Sequence, residues 1–171
     1  MYNIFVCLIY IVTCSVVLSY KYTNTNQYNA LKSLYDATDG PSWNWNGGSR
    51  YGYQWNFTNE ESDPCTNYWQ GILCDVYECN EGECMVINLN LTGTNLRGTL
   101  PPEFTNLNEI RSLDLTYNSL VGVLPDKLYN MTALQYVAFS YNQFSGSIPL
   151  LFGSTSMELE AIFLNDTLLF I

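Results

Sequence analysis

The groups in this sequence that could do chemistry are a cluster of cysteines, a few acidic runs and four tryptophans, and there is no histidine. Without imidazole, the usual nucleophilic triads and most general-base schemes are unavailable. Cys65, Cys74, Cys79 and Cys84 fall close together, but with eight and four intervening residues they lack the tight ligand pairs of a zinc knuckle. Oxidation is the better reading. Four cysteines allow three pairings, of which Cys65 with Cys74 and Cys79 with Cys84 is favoured because each closes a short local loop. Glu60, Glu61 and Asp63 lie near Trp-rich loops and could supply a glycosidase-like carboxylate pair, yet nothing in their spacing supports one. Asp75, Glu78, Glu81 and Glu83, with Asn80 among them, could collect a calcium ion; they fit no EF-hand loop and read more simply as a solvated acidic stretch. Trp43, Trp45, Trp55 and Trp69 could form a sugar-binding platform, although large aromatics beside a disulfide most often pack. No Gly-rich phosphate loop occurs. An enzyme is therefore not expected, nor is a cofactor or a bound metal.

The elements that would position these groups begin with a possible leader. Met1 to Ser19 carries no charged side chain, and its apolar stretch Ile4 to Leu18 suits a signal-peptide h-region but is short for a membrane span of about 20 residues. Cleavage after Ser19 would remove Cys7 and Cys14 and send the remainder to an oxidising compartment. In such a compartment the four Asn-x-Ser/Thr sequons at Asn56, Asn90, Asn130 and Asn165 are glycosylation candidates, Asn56 and Asn130 foremost. The net charge of −10, from 16 acidic and 6 basic residues, disfavours nucleic acid, anionic membrane and polyanionic wall sugars as partners. Asn29 to Thr38 reads as a short amphipathic helix, with Leu31, Leu34 and Tyr35 on one face and Gly40-Pro41 as its stop.

A unit of twenty-four residues then repeats through the second half of the chain. Leu89, Leu113 and Val137 form one column; Leu91, Leu115 and Phe139, then Leu96, Leu120 and Phe144, form two more. Gly98, Gly122 and Gly146 are in phase, as are Pro101, Pro125 and Pro149, each after an aliphatic residue. Coils begin at Val86, Ile110, Leu134 and, after one extra residue, Leu159. Fixed spacing across many columns predicts a solenoid whose apolar residues are buried only by stacking on the next coil. Alternating apolar positions in each coil predict a short strand, so successive coils build one parallel sheet. Asn118 and Asn142 fall where the chain turns away from that sheet, and a buried side-chain amide there can bond a tight bend; Thr94 and Thr167 occupy this column in the first and fourth coils.

The pattern LxxLxLxxNxLxGxIP, cleanest from Leu113 to Pro125, resembles the leucine-rich repeat, and its Gly-x-aliphatic-Pro extension is similar to the extracellular plant and protist subclass. The run Ala30-Leu31, Leu34-Tyr35, Gly40-Pro41, Trp43, Asp63-Pro64-Cys65, Trp69, Gly71 and Cys74 is similar to the N-terminal cap of the same proteins. The resemblance implies an α/β solenoid, a right-handed coil with a parallel sheet on its concave face, and a helical, disulfide-stapled cap. On this reading a signal segment spans 1–19, the cap 20–84 and the repeats 85–171, three complete and a partial fourth.

It also implies that ligand is held on the concave sheet, at the non-leucine strand positions. By register these are Asn88, Asn90 and Thr92; Ser112, Asp114 and Thr116; Tyr136, Ala138 and Ser140; and Ala161, Phe163 and Asn165. Tyr117 and Tyr141 border the face. Tyr136 and Phe163 are aromatics at positions expected to be exposed, as interface hot spots often are. Four short strands offer roughly 300 Å² of such surface, against about 800 Å² per partner in a standard interface, so a partner must also grip the cap and loops or further repeats must exist. The fourth coil breaks off before its Gly and Pro columns, which would expose Ile162, Leu164 and Leu169 and allow self-association through that edge. The expected partner is a protein or peptide, with carbohydrate as the second class. The expected setting is secreted or cell-surface, either as the front of a receptor, its kinase included, or as a secreted inhibitor similar in architecture to the plant polygalacturonase inhibitors.

Overall fold

The computed structural model describes residues 22–45, 52–59, 61–80, 83–149 and 159–170. The expected signal segment, Glu60, Glu81 and the side chains of Glu78 and Cys79 lie outside what is described. Helix α1 spans Thr25–Ala37, starting earlier than the apolar spacing alone suggests. The reason is Asn24, whose side-chain oxygen accepts from the backbone N–H groups of Asn26 and Gln27 and so satisfies donors of the first turn. At the other end the Thr38 hydroxyl donates to the Leu34 carbonyl at 2.7 Å.

Among the described residues, ten strands form the cap and the coils. Those on the inner side are β1 (Tyr22–Thr23), β3 (Glu83–Asn90), β5 (Ser112–Asp114), β7 (Tyr136–Ala138) and β9 (Ala161–Phe163), which pair in parallel in that order. Leu89 pairs with Leu113, Leu113 with Val137 and Val137 with Ile162, so the register read from the columns holds, extra residue included. Strand β2 (Ile72–Asn80) adds an antiparallel neighbour to β3, pairing Ile72 with Leu89 and Leu73 with Asn88. One sheet thus runs from cap to last coil.

A second parallel sheet, unforeseen from sequence, joins β4 (Arg97–Gly98), β6 (Ser119–Gly122), β8 (Gln143–Ser147) and β10 (Leu168–Phe170). It forms because the chain stays extended beyond the Asn turn, burying Leu120 and Phe144 before the glycine column. Pro101 and Pro125 then lead into 3-10 turns, Pro102–Asn106 and Asp126–Asn130, which bury Phe104 and Leu128. Between the layers every leucine-column residue of the first three coils is buried. A fully buried aliphatic side chain contributes roughly 1.5–3 kcal/mol. In the fourth coil Ile162 is exposed as expected, but Leu164 and Leu169 are half-buried against the core, because β10 pairs with β8 rather than standing free.

The asparagines tie coil to coil. The Asn118 side chain accepts from the Leu96 N–H and donates to the carbonyls of Leu91 and Leu115. One coil on, Asn142 accepts from the Leu120 N–H and donates to those of Leu115 and Phe139. Thr94 and Thr167 reach only their own coil, donating to Leu91 and Leu164.

The cap covers the first coil. Gln27, fully buried, exchanges two hydrogen bonds with the Val86 backbone and clips α1 to β3. Gly98 (φ 124°) abuts the end of α1, where an added Cβ would collide with the Ala37 carbonyl oxygen. Trp43, Trp55 and Trp69 are buried among Tyr35 and Phe57, and their indole N–H groups donate to Thr38, Gln70 and Ser62. They form a core, not a surface platform. The Cys65–Cys74 disulfide is present. Cys84 is also disulfide-bonded and buried; its expected partner Cys79 falls outside the described side chains.

Candidate functional site

Alternation fixes which side chains reach the inner face. Because Ile72 and Leu89 point into the core, their neighbours Leu73 and Asn88 point out of it. Successive pairings then set Leu73, Asn88, Ser112, Tyr136 and Ala161 in one row across the sheet. A second row holds Asn90, Asp114, Ala138 and Phe163.

The first row is apolar at both ends and polar between, whereas the second is polar at Asn90 and Asp114 and apolar at Ala138 and Phe163. Tyr136 and Phe163 are 36% and 44% exposed, with ring centroids 5.3 Å apart. At the cap end Leu73 is 57% exposed and Tyr68 72%, and with Asn88 and Asn90 they line a groove of about 340 Å³. Leu73 and Tyr68 lie outside the face expected from the repeat positions, since only the pairing of β2 with β3 brings the cap onto it. In the middle, the Asp114 carboxylate accepts the Thr116 N–H, as Asn90 does that of Thr92, leaving both beside the face in fixed turns. Two residues expected on the surface are buried. Ala138 sits low between larger neighbours, paired with Phe163, and the Ser140 hydroxyl accepts the Asn165 N–H at 3.0 Å.

Tyr117 and Tyr141 stack in parallel on the rim, centroids 4.3 Å apart, both in the left-handed region with φ of 56° and 55°. Gly93 and Asp166 share that conformation in the neighbouring coils, so this column is a required backbone kink. Such a conformation is unfavourable for a bulky residue, and the stack offsets part of that strain. The Tyr117 hydroxyl beside it, then the charges of Tyr117 and Asp166, raise the Tyr141 pKa.

Asp63 is buried and accepts from the Thr23 and Cys65 backbone N–H groups at 2.8 and 2.9 Å, which makes it a structural clamp of the cap. Among the described residues no group of carboxylates and cysteines is arranged to hold a metal ion, and no helix is long and apolar enough to cross a membrane. The side chains of Asn56, Asn90, Asn130 and Asn165 are exposed.

Known proteins share this build. Residues 85–107 and 109–131 match the family model "Leucine Rich Repeat". Over 94 residues, 55% of this chain and 8% of the relative, the sequence is 30% identical to a probable leucine-rich repeat receptor-like protein kinase of Arabidopsis thaliana. Among solved structures, the ectodomain of the Arabidopsis thaliana membrane receptor kinase GASSHO1/SCHENGEN3, in complex with Casparian strip integrity factor 2, superposes with a TM-score of 0.63 and 32% identity. That superposition covers 85% of this chain and 16% of the receptor chain. The ectodomain of the Arabidopsis thaliana receptor kinase SOBIR1 gives a TM-score of 0.62 at 23% identity, over 88% of this chain and 70% of that one. The chain spans less than a tenth of the length of the curated relatives it matches, and the matches to kinases lie in their repeats.

Proposed function

We propose that this solenoid, which carries matched leucine-rich repeats and resembles a plant receptor ectodomain, is an extracellular recognition module that binds a protein or peptide on its inner sheet. The observation that carries this reading is the exposed Tyr136–Phe163 pair, set on the inner sheet where a plain scaffold would present polar groups. The receptor with 32% identity is known in complex with a protein factor, which supports the same use of this fold.

The test is selection of displayed nine-residue random peptides on the purified protein. Peptides enriched on the wild-type chain should lose at least tenfold in affinity on Tyr136→Ala and keep it on Val123→Ala, on the outer side. Equal loss from both variants, or from neither, would contradict inner-face recognition.

Kinship with receptor kinases favours the front of a membrane receptor over a secreted inhibitor. Probing native fractions with an antibody to the cap separates the two. A band much larger than 19.5 kDa in membranes supports the receptor; one near that mass in the medium supports the inhibitor.

A further inference from the structure

The two apolar ends of the inner face are separated by a distance that a short peptide can measure. One end is the groove between β2 and β3, with Tyr68 and Leu73 on its walls; the other is the Tyr136–Phe163 pair on β7 and β9. From the midline of β2 and β3 to that of β7 and β9 is three strand spacings, or about 14 Å at ~4.8 Å each. An extended chain advances ~3.4 Å per residue, so four residues cover the same span, and residues an even number apart face the same way. The midpoint falls on β5, where the face presents Ser112 and Asp114. Asp114 gives that midpoint a negative charge within a chain of net charge −10. Arg111, the nearest cation in sequence, is exposed and is not among the paired positions of the rows.

We propose that the inner face binds an extended peptide, laid across the strands, with apolar or aromatic residues at positions i and i+4 and lysine or arginine at i+2. The i side chain enters the Tyr68–Leu73 groove, the i+4 side chain packs on Tyr136 and Phe163, and the basic residue between them pairs with Asp114. The cap thereby supplies half of the anchoring surface, which relieves the small area of the coils alone. This inference rests on the inner-face reading above and adds spacing, charge and the cap's participation to it.

The same displayed library tests it, run on wild type, Leu73→Ser, Asp114→Lys and Tyr136→Ala. Enriched sequences should align as apolar-x-basic-x-apolar. Leu73→Ser should erase the preference at one end and weaken the best synthetic peptide at least tenfold, without changing the melting temperature, because Leu73 is exposed. Asp114→Lys should replace the central preference for basic residues with one for acidic residues. Anchors at another spacing, or a motif indifferent to Leu73→Ser and Asp114→Lys, would overturn the proposal. If Tyr136→Ala still abolished binding in that case, the inner-face reading would stand without it. No enrichment over an empty support would overturn both.

Discussion

The junction between the second and third coils and the junction between the third and fourth are tied by different side chains, an asparagine amide at the first and the Ser140 hydroxyl, which accepts the Asn165 N–H, at the second. Both have parallel inner strands in matched register, Leu113 with Val137 and Val137 with Ile162. Both carry backbone bonds, as from Leu115 to Ala138 and from Phe139 to Phe163. Only the first is crossed by an asparagine, since Asn142 holds the Leu120 N–H and the Leu115 carbonyl of the preceding coil, whereas Thr167 bonds Leu164 in its own. The rim repeats the contrast. Tyr117 and Tyr141 stack across the first junction, while Asp166 occupies the same column beyond the second. Equal strand pairing therefore does not mean equal cohesion; buried amide rungs, which satisfy backbone groups of two coils at once, add to it. Phe163, half of the aromatic pair, rides on the less firmly tied coil.

The comparison can be broken outright by Leu115→Asp, at the carbonyl both rungs share. Placing a carboxylate at a fully buried site should cost about 4 kcal/mol or more and leave no cooperative urea transition. Asn142→Ala should cost about 2–3 kcal/mol by urea denaturation, because it strands buried groups in two coils. The matched Thr167→Ala should cost under about 1 kcal/mol, for one local bond. Thr167→Asn sharpens the contrast, since an amide there is placed to reach the Phe144 N–H and the Phe139 carbonyl; about 1 kcal/mol of stabilisation is expected in the same assay. The smallest effect is in the titration of Tyr141. Its pKa lies above the ordinary 10.0 because the neighbouring Tyr117 hydroxyl, and then the charges of Tyr117 and Asp166, disfavour the tyrosinate. In Tyr117→Phe the tyrosinate absorbance of Tyr141 should appear at lower pH than in wild type.

Most of the solenoid was legible because its columns report burial directly: Leu89, Leu113 and Val137 recur because one strand face must be dry. The local pairing of Cys65 with Cys74 was legible for a similar reason, a short loop with close ends. Features that depend on polar groups meeting across the fold were not. Gln27 reads as a surface residue until Val86 is beside it, and Asp63 as a spare carboxylate until Thr23 and Cys65 supply donors. Asn24 carried a usable capping signal that the apolar spacing of α1 obscured. The inner face was half legible. Its coil positions followed from alternation, but Leu73 and Tyr68 enter it only through the pairing of β2 with β3, and Ala138 and Ser140 leave it because their neighbours cover them. At the rim, Gly93 in the column of Tyr117 and Tyr141 was the available sign of a left-handed kink.

Hydrogen exchange at four amides tests the central claim, that asparagine rungs set the cohesion of the stack and leave the Phe163 coil loosely tied. The N–H groups of Leu115 and Tyr117 bond across the junction that Asn142 spans, and those of Phe139 and Tyr141 across the one at Thr167. Phe139 and Tyr141 should exchange faster than Leu115 and Tyr117 in the wild-type chain and slow toward them in Thr167→Asn. Equal protection at both junctions in the wild type, or no slowing in Thr167→Asn, would contradict it.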